Sequence, residues 1–160
     1  MVRVMATGVF DLLHPGHIHY LSEAKRLGDE LVVVVARDST AERLKHRPIV
    51  PEEQRLEMVA ALKPVDRAVL GHEGNIYDIL TEIRPDVIAL GYDQVHDEAK
   101  IQEEARKRGL TSTKVVRLPK FVSDLDGTRK IIARVAEYYA LRAKLEGVGD
   151  AEPQPRRRNA

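Results

Sequence analysis

The sequence predicts a doubly wound α/β fold, a single five-stranded parallel sheet with helices on both faces. Two observations carry this. Short apolar runs rich in Val, Ile and Leu recur along the chain, the plainest being Leu31-Val32-Val33-Val34-Val35-Ala36. A continuous run of this kind is a strand buried on both faces, as a parallel sheet requires. Between the runs lie segments with apolar residues at helical spacing, so that strand, helix and strand follow within about 35 residues, the length of a right-handed crossover unit. Regular alternation of the two element types places helices on both sides of a parallel sheet.

The first strand is Val2 to Ala6, apolar but for Arg3. Thr7-Gly8 allows a tight exit where a phosphate can approach the backbone. Pro15 suits the first position of a helix, where its missing N–H would be unpaired in any case. That helix runs Ile18 to Leu27, with Leu21, Ala24 and Leu27 facing inward and Gly28 as its stop. The second strand, Leu31 to Ala36, delivers Arg37-Asp38-Ser39 to its carboxyl end, where open α/β sheets bind ligands. Thr40 to Pro51 shows no clear period and holds Arg43, Lys45, His46 and Arg47. It reads either as a solvated loop or as a mobile phosphate clamp. Pro51 and the acids Glu52 and Glu53 open the next helix, with Leu56, Val59, Ala60 and Leu62 buried and Arg55 one turn in. Pro64 stops it, and Val65 to Leu70 is the third strand. Asn75 caps a helix through Ile83. Asp86 to Leu90 is the fourth strand, ending in Gly91-Tyr92-Asp93-Gln94. His96 to Arg108 is a charged surface helix stopped by Gly109, and Lys114 to Leu118 is the fifth strand. Pro119 to Asp126 is a loop from which Ser123, Asp124 or Asp126 caps the last helix. The domain spans 1–146. From Gly147 to Ala160 the composition is that of a disordered tail, and its Arg156-Arg157-Arg158 triplet reads as a solvated end rather than an RNA contact.

Composition narrows the function. The 160 residues carry 26 basic and 25 acidic side chains, a formal charge of +1, so nothing in the balance demands nucleic acid or membrane. No run is long and apolar enough to span a bilayer, and no signal peptide opens the chain. There is no cysteine, which excludes disulfides, thiolate zinc sites and a Cys nucleophile. The expected compartment is the cytoplasm. Phe and Tyr together number seven and Trp is absent, so a large aromatic ligand has few stacking partners.

The chemistry concentrates in Thr7-Gly8-Val9-Phe10-Asp11-Leu12-Leu13-His14-Pro15-Gly16-His17. His14 and His17, three apart across a helix start, share one face beside the positive end of the helix dipole. Two imidazoles with backbone N–H groups at a strand-to-helix turn describe an anion site. On spacing alone a plainer reading also stands, in which His14 caps the helix and His17 packs. Strand ends one, two and four bring Thr7 to His17, Asp38, and Gly91 to Asp93 to one edge, and Lys45 and Arg55 add cations. This is a site for a nucleoside triphosphate built without the P-loop spacing, which is absent.

The pattern G-x-F-D-x-x-H-x-G-H resembles the signature of the nucleotidyltransferase superfamily, the cytidylyltransferase-like and adenylyltransferase-like enzymes. Residues 2 to 134 are most similar to the archaeal-type FAD synthases. The similarity is carried by T-G-V-F-D-L-L-H-P-G-H, V-A-R-D at 35 to 38, P-E-E-Q-R at 51 to 55, A-L-K-P-V-D at 61 to 66 and L-G-Y-D-Q at 90 to 94. The resemblance implies strand order 3-2-1-4-5, a homodimer, and transfer of AMP from ATP to FMN with release of pyrophosphate. Such transfer needs in-line positioning and charge stabilisation more than a protein nucleophile. Catalysis would then fall to His14, His17, Lys45 and Arg55. The nucleotide would lie on Thr7, Gly8, Val9, Phe10, His14, His17, Gly91, Tyr92, Asp93, Gly127 and Thr128. The acceptor would meet Asp38, Lys45, Arg55 and Phe121, with Val122, Tyr92 and Tyr77 as the other rings and apolar groups open to a flavin. Asp38 also reads as a strand-end cap, and Tyr92 also reads as a packing ring. Mg²⁺ is expected on phosphate oxygens, with no protein metal cage. The departure from the family lies in Ser123-Asp124-Leu125-Asp126-Gly127-Thr128, where related enzymes offer more hydroxyls; Arg129 and Lys130 restore positive charge. Two other readings remain: a CTP-dependent cytidylyltransferase acting on glycerol 3-phosphate or another small alcohol phosphate, and a nucleotide-binding sensor without turnover.

Overall fold

The computed structural model describes residues 1–147. At its centre is β1 (Arg3–Gly8), paired on one side with β2 (Glu30–Val35) and on the other with β4 (Val87–Leu90). β3 (Arg67–Leu70) and β5 (Lys114–Arg117) complete the sheet, whose order is β3-β2-β1-β4-β5 with every pairing parallel. The helices are α1 (Pro15–Lys25), α2 (Asp38–Leu44), α3 (Glu52–Ala60), α4 (Ile79–Ile83), α5 (Glu98–Lys107) and α6 (Thr128–Glu146). The fold class and the strand order match what the sequence and its resemblance imply.

The unbroken apolar strands follow from the two cores. Side chains alternate across a strand, so Val4, Ala6, Val33, Val35 and Ala89 pack under Leu21 and Ala24 of α1 and Val59 of α3. Met5, Val32, Val34, Ile88 and Leu90 point the other way, against Ile79, Leu80 and Ile83 of α4 and Ile101 and Ala105 of α5. The central positions of the inner strands therefore each face one core or the other. At the amino edge of the sheet three aspartates terminate the strand backbones. Asp29 accepts the Val2 N–H at 2.7 Å, Asp66 the Leu31 N–H at 2.7 Å and Asp86 the Arg3 N–H at 2.8 Å.

Several elements differ from the expectation, each for a local reason. Residues 38–44 form α2 rather than a loop, because the Glu52 carboxylate accepts the Asp38 N–H at 2.7 Å while Thr40 and Ala41 are buried; the basic loop shrinks to 45–51. In α3, Ala60 is exposed and Arg55 takes the buried place one turn before Val59. Asn75 makes a tight turn, its side chain accepting the Tyr77 N–H at 3.0 Å, so the helix begins only at Ile79. No side chain caps α6. Gly127 stands at the cap position, Asp124 pairs with Arg134 at 3.2 Å and Asp126 with Lys130 at 2.6 Å. Helix α6 buries none of its residues. Beyond Gly147, the tail expected from the composition lies outside the described residues. No helix among the described residues is long and apolar enough to cross a membrane.

Candidate active site

The carboxyl edge of the sheet opens into a cleft of about 720 Å³ between the β1–α1 turn, the end of β4 and the loop leading into α6. The turn is fixed by sterics. A side chain at Gly8 would come within 2.8 Å of the Phe10 ring, and one at Gly16 within 2.8 Å of both the Asp126 carbonyl oxygen and the His14 ring. Phe10 itself takes a left-handed backbone, φ 54°, which a bulky residue adopts only at a cost. Its ring is buried and packs 5.3 Å from the His17 ring and 6.4 Å from the Tyr20 ring.

Both readings of the histidine pair meet in one arrangement. His14 Nδ1 accepts the Gly16 N–H at 3.1 Å, and the His14 N–H donates to His17 Nδ1 at 3.3 Å, a reciprocal cap built from two imidazoles where a Ser and a Glu more often serve. The rings stack with centroids 3.7 Å apart. Burial pushes His17 down to about 3, with His14 adding to the effect. Burial also lowers His14, against the pull of Asp126 and Asp93. Both rings are therefore neutral near pH 7. With each Nδ1 accepting, the proton of each neutral ring sits on Nε2. Neither Nε2 has a hydrogen-bond partner among the described residues, and both rings line the cleft. The turn thus presents two preorganised N–H donors.

Of the residues expected at the site, Thr7, Gly8, Val9, Phe10, His14, His17, Lys45, Gly91, Tyr92, Asp93, Phe121, Gly127 and Thr128 all line this cleft. Arg55 and Asp38 do not. The Arg55 side chain is 0% exposed, and every arm of its guanidinium is engaged. Nε donates to the Val50 carbonyl at 2.8 Å, Nη1 to the Val9 and Ala36 carbonyls at 2.6 and 2.8 Å, and Nη2 to Asp38 at 2.6 Å. A group with no surface makes no direct contact with a phosphate. Arg55 instead ties the ends of β1, β2 and the basic loop together, and Asp38 is its counter-ion. This corrects the expectation of direct phosphate and acceptor contacts for Arg55; Asp38, with its side chain 35% exposed, lies outside the lining of this cleft.

Lys45 remains the cation of that loop at the cleft, joined from the far wall by Lys120 and Arg129. Lys120 sits 5.6 Å from the centre of the Tyr92 ring. Lys130 also lines the cleft but is held by Asp126. The single-residue hydrogen-bond pattern also exposes groups that spacing did not reveal. Asp11, 5% exposed, accepts the N–H groups of Ile49 and Val50 at 2.9 and 2.8 Å, anchoring the basic loop to the turn. Gln94 accepts the Gly91 N–H and donates to the Thr7 carbonyl at 2.7 Å, tying the ends of β4 and β1. The Tyr20 hydroxyl donates to the Ala89 carbonyl at 2.8 Å. All three belong to, or face, the motifs read above, and only the fold shows their partners.

The cytidylyltransferase-like family matches residues 5–139, a span that contains the turn, both clustered histidines and the start of α6. The chain belongs to the cytidylyltransferase-like family. Among relatives of this cytidylyltransferase-like chain, the FAD synthase of Aciduliprofundum boonei is 64% identical over 138 residues, covering 86% of this chain and 92% of that one. The FAD synthase of Archaeoglobus profundus is 56% identical over 138 residues, covering 86% and 88%. A solved structure described as the lipopolysaccharide core biosynthesis protein from Thermoplasma volcanium GSS1 superposes with a TM-score of 0.74 and 58% identity, covering 76% of this chain and 99% of that one.

Proposed function

We propose that this chain is an FMN adenylyltransferase, a cytoplasmic FAD synthase that transfers AMP from ATP to FMN. The observation that carries this reading is the neutral His14–His17 pair, two Nε2–H donors facing a cleft lined by Lys45, Lys120 and Arg129, in a chain that is 64% identical to a relative named FAD synthase. An FMN phosphate oxygen attacks the α-phosphorus of ATP. The new O–P bond forms as the bond to the bridging oxygen breaks, and pyrophosphate leaves with the electron pair. No protein nucleophile enters the step. His14 and His17 donate to phosphate oxygens as charge builds on them, a form of electrostatic stabilisation that costs no reorganisation. Lys45 neutralises the phosphates from the opposite side. Gly127 leaves the first N–H groups of α6 without a side-chain cap, so they are available to the triphosphate. Tyr92 and Asp93 flank the base. Arg55 and Asp38 act as positioning residues.

No three His, Cys, Asp or Glu side chains among the described residues are grouped to hold a metal. A magnesium ion that travels with phosphates needs only one or two carboxylates from a protein, and Asp93 and Asp126 line the cleft. In our proposal Mg²⁺ arrives on the phosphate oxygens of ATP, where it screens charge. Homodimerisation is part of the same proposal, and the exposed Tyr138, Tyr139 and Leu141 of α6 support it; sedimentation equilibrium checks it.

The deciding experiment is pyrophosphate release from purified protein with Mg²⁺, crossing ATP and CTP against FMN and glycerol 3-phosphate. Release with ATP plus FMN alone, with FAD as product, is the expected result. Release with CTP plus glycerol 3-phosphate alone makes the chain a cytidylyltransferase of small alcohol phosphates. Nucleotide binding without release in any combination points to the sensor.

A further inference from the structure

On the sheet face opposite the histidine pair a second cleft of about 290 Å³ opens at the same edge. Leu44, Ile76, Tyr77 and Leu80 wall it, and Val34 and Leu90 contribute from the strand ends. The two clefts are neighbours, since Thr7, Gly8, Val9, Lys45 and Gln94 line both. We infer that this second cleft holds the isoalloxazine ring of the acceptor, with the ribityl chain passing Lys45 so that the phosphate reaches the histidine pair. The inference rests on the FMN reading above and assigns to it a ring site.

Two observations support it. First, the chemistry of each cleft suits one half of the ligand. The histidine cleft mixes apolar groups such as Leu118, Pro119 and Val122 with cations and carboxylates, and its rings are partly engaged: Phe121 stacks on His19 at 4.5 Å, and Tyr92 lies under Lys120. The second cleft is walled mainly by aliphatic side chains, with Arg37, His72 and His96 also in its lining, and a mainly apolar wall takes a flat heterocycle out of water. Second, its size is near the lower end of ordinary ligand pockets, about 300 Å³. It suits a fused ring system, while the chain and phosphate need the room next door. Lys45 is placed to meet the phosphate end, since it lines both cavities. A small polar acceptor such as glycerol 3-phosphate has little apolar surface to bury in this cleft.

The test uses the full chain and two probes. FMN reports on the whole acceptor. Lumichrome, which has the fused ring without the ribityl chain or phosphate, reports on the ring site alone. Binding of both is read by quenching of their fluorescence, and the KM for ATP is measured alongside. Ile76→Glu should raise the Kd of FMN and of lumichrome at least tenfold and leave the KM for ATP within twofold. Leu44→Glu, at a residue 61% exposed and so safe for folding, should do the same more weakly, about three- to tenfold. Unchanged flavin affinity in folded Ile76→Glu and Leu44→Glu overturns the ring site. So does loss of lumichrome binding in Phe121→Ala, which would put the ring in the histidine cleft. In either case wild-type FAD formation still stands and so does the proposed activity. If the wild-type chain forms no FAD from ATP and FMN, that activity falls first and the ring site falls with it.

Discussion

The β1–α1 turn and the loop before α6 face each other across one cleft, yet they are built on opposite plans. In the turn nearly every group is committed. Gly8 and Gly16 have no room for a side chain, both histidine Nδ1 atoms accept backbone N–H groups, Asp11 clamps the neighbouring loop and Arg55 locks three strand and loop ends from below. Across the cleft, a side chain at Gly127 would meet nothing within 4 Å, the Ser123 hydroxyl is buried without a partner, Asp124 is engaged in a surface ion pair, and Asp126, with its side chain 9% exposed, takes Lys130 and the Ser123 N–H. The comparison teaches that the wall carrying the proposed phosphate donors is rigidly tied, while the wall facing it is held by fewer contacts. The departure from the family pattern at 123–128 falls on the wall that can change at little cost.

Mutations at the rigid wall should therefore be expensive. Arg55→Met leaves three carbonyls and Asp38 without their donor, and we expect a loss of about 3 kcal/mol, the lower end for a broken buried pair because Asp38 keeps some solvent. Chemical denaturation measures this, and Arg55→Lys should not rescue it, since an ammonium cannot span four acceptors in a planar fork. His17→Ala should cost about 3 kcal/mol of transition-state stabilisation, roughly a hundredfold in kcat/KM, with ATP binding weakened only modestly. Activity that survives intact in a folded His17→Ala protein would remove the donor role. Gly16→Ala pushes a methyl against the Asp126 carbonyl and the His14 ring and should cost about 1–3 kcal/mol.

A smaller effect comes from pH. His17 is held neutral down to about 3, whereas the unfolded chain protonates near 6.5. Between these values the unfolded state binds the extra proton, so stability is full above about pH 6.5 and falls as the pH drops towards 3, by at most about 1.4 kcal/mol per pH unit for this group. Urea titrations at pH 7 and pH 5 should show the loss, and His17→Ala should shrink it. At the compliant wall the expected change is slight and of opposite sign. Gly127→Ser supplies a capping hydroxyl to α6 and should raise stability by a few tenths of a kcal/mol. A loss above 1 kcal/mol there would show that this loop is as constrained as the turn.

Much of the fold was legible because the apolar runs lie at two-sided strand positions, as with Leu31 to Val35. The histidine turn was legible because strand, glycine, proline and imidazole stand within a dozen residues. Arg55 was not. An arginine one turn into a helix with acids before it looks like a surface cation, and its burial depends on carbonyls contributed by Val9, Ala36 and Val50. The extent of α2 depended on Glu52, which comes from the following helix. The aliphatic cleft was hidden for a similar reason, since Leu44, Ile76 and Leu80 each look like ordinary core residues until α2 and α4 stop short of covering the sheet edge.

The three aspartates at the amino edge carry a practical consequence. Asp29, Asp66 and Asp86 already hold the N–H groups of Val2, Leu31 and Arg3, so that end of the sheet offers no spare backbone donors there and no part of either cleft. It is the natural handle of the molecule. A dye, tether or surface attachment placed there would leave the opposite end open for watching a flavin arrive.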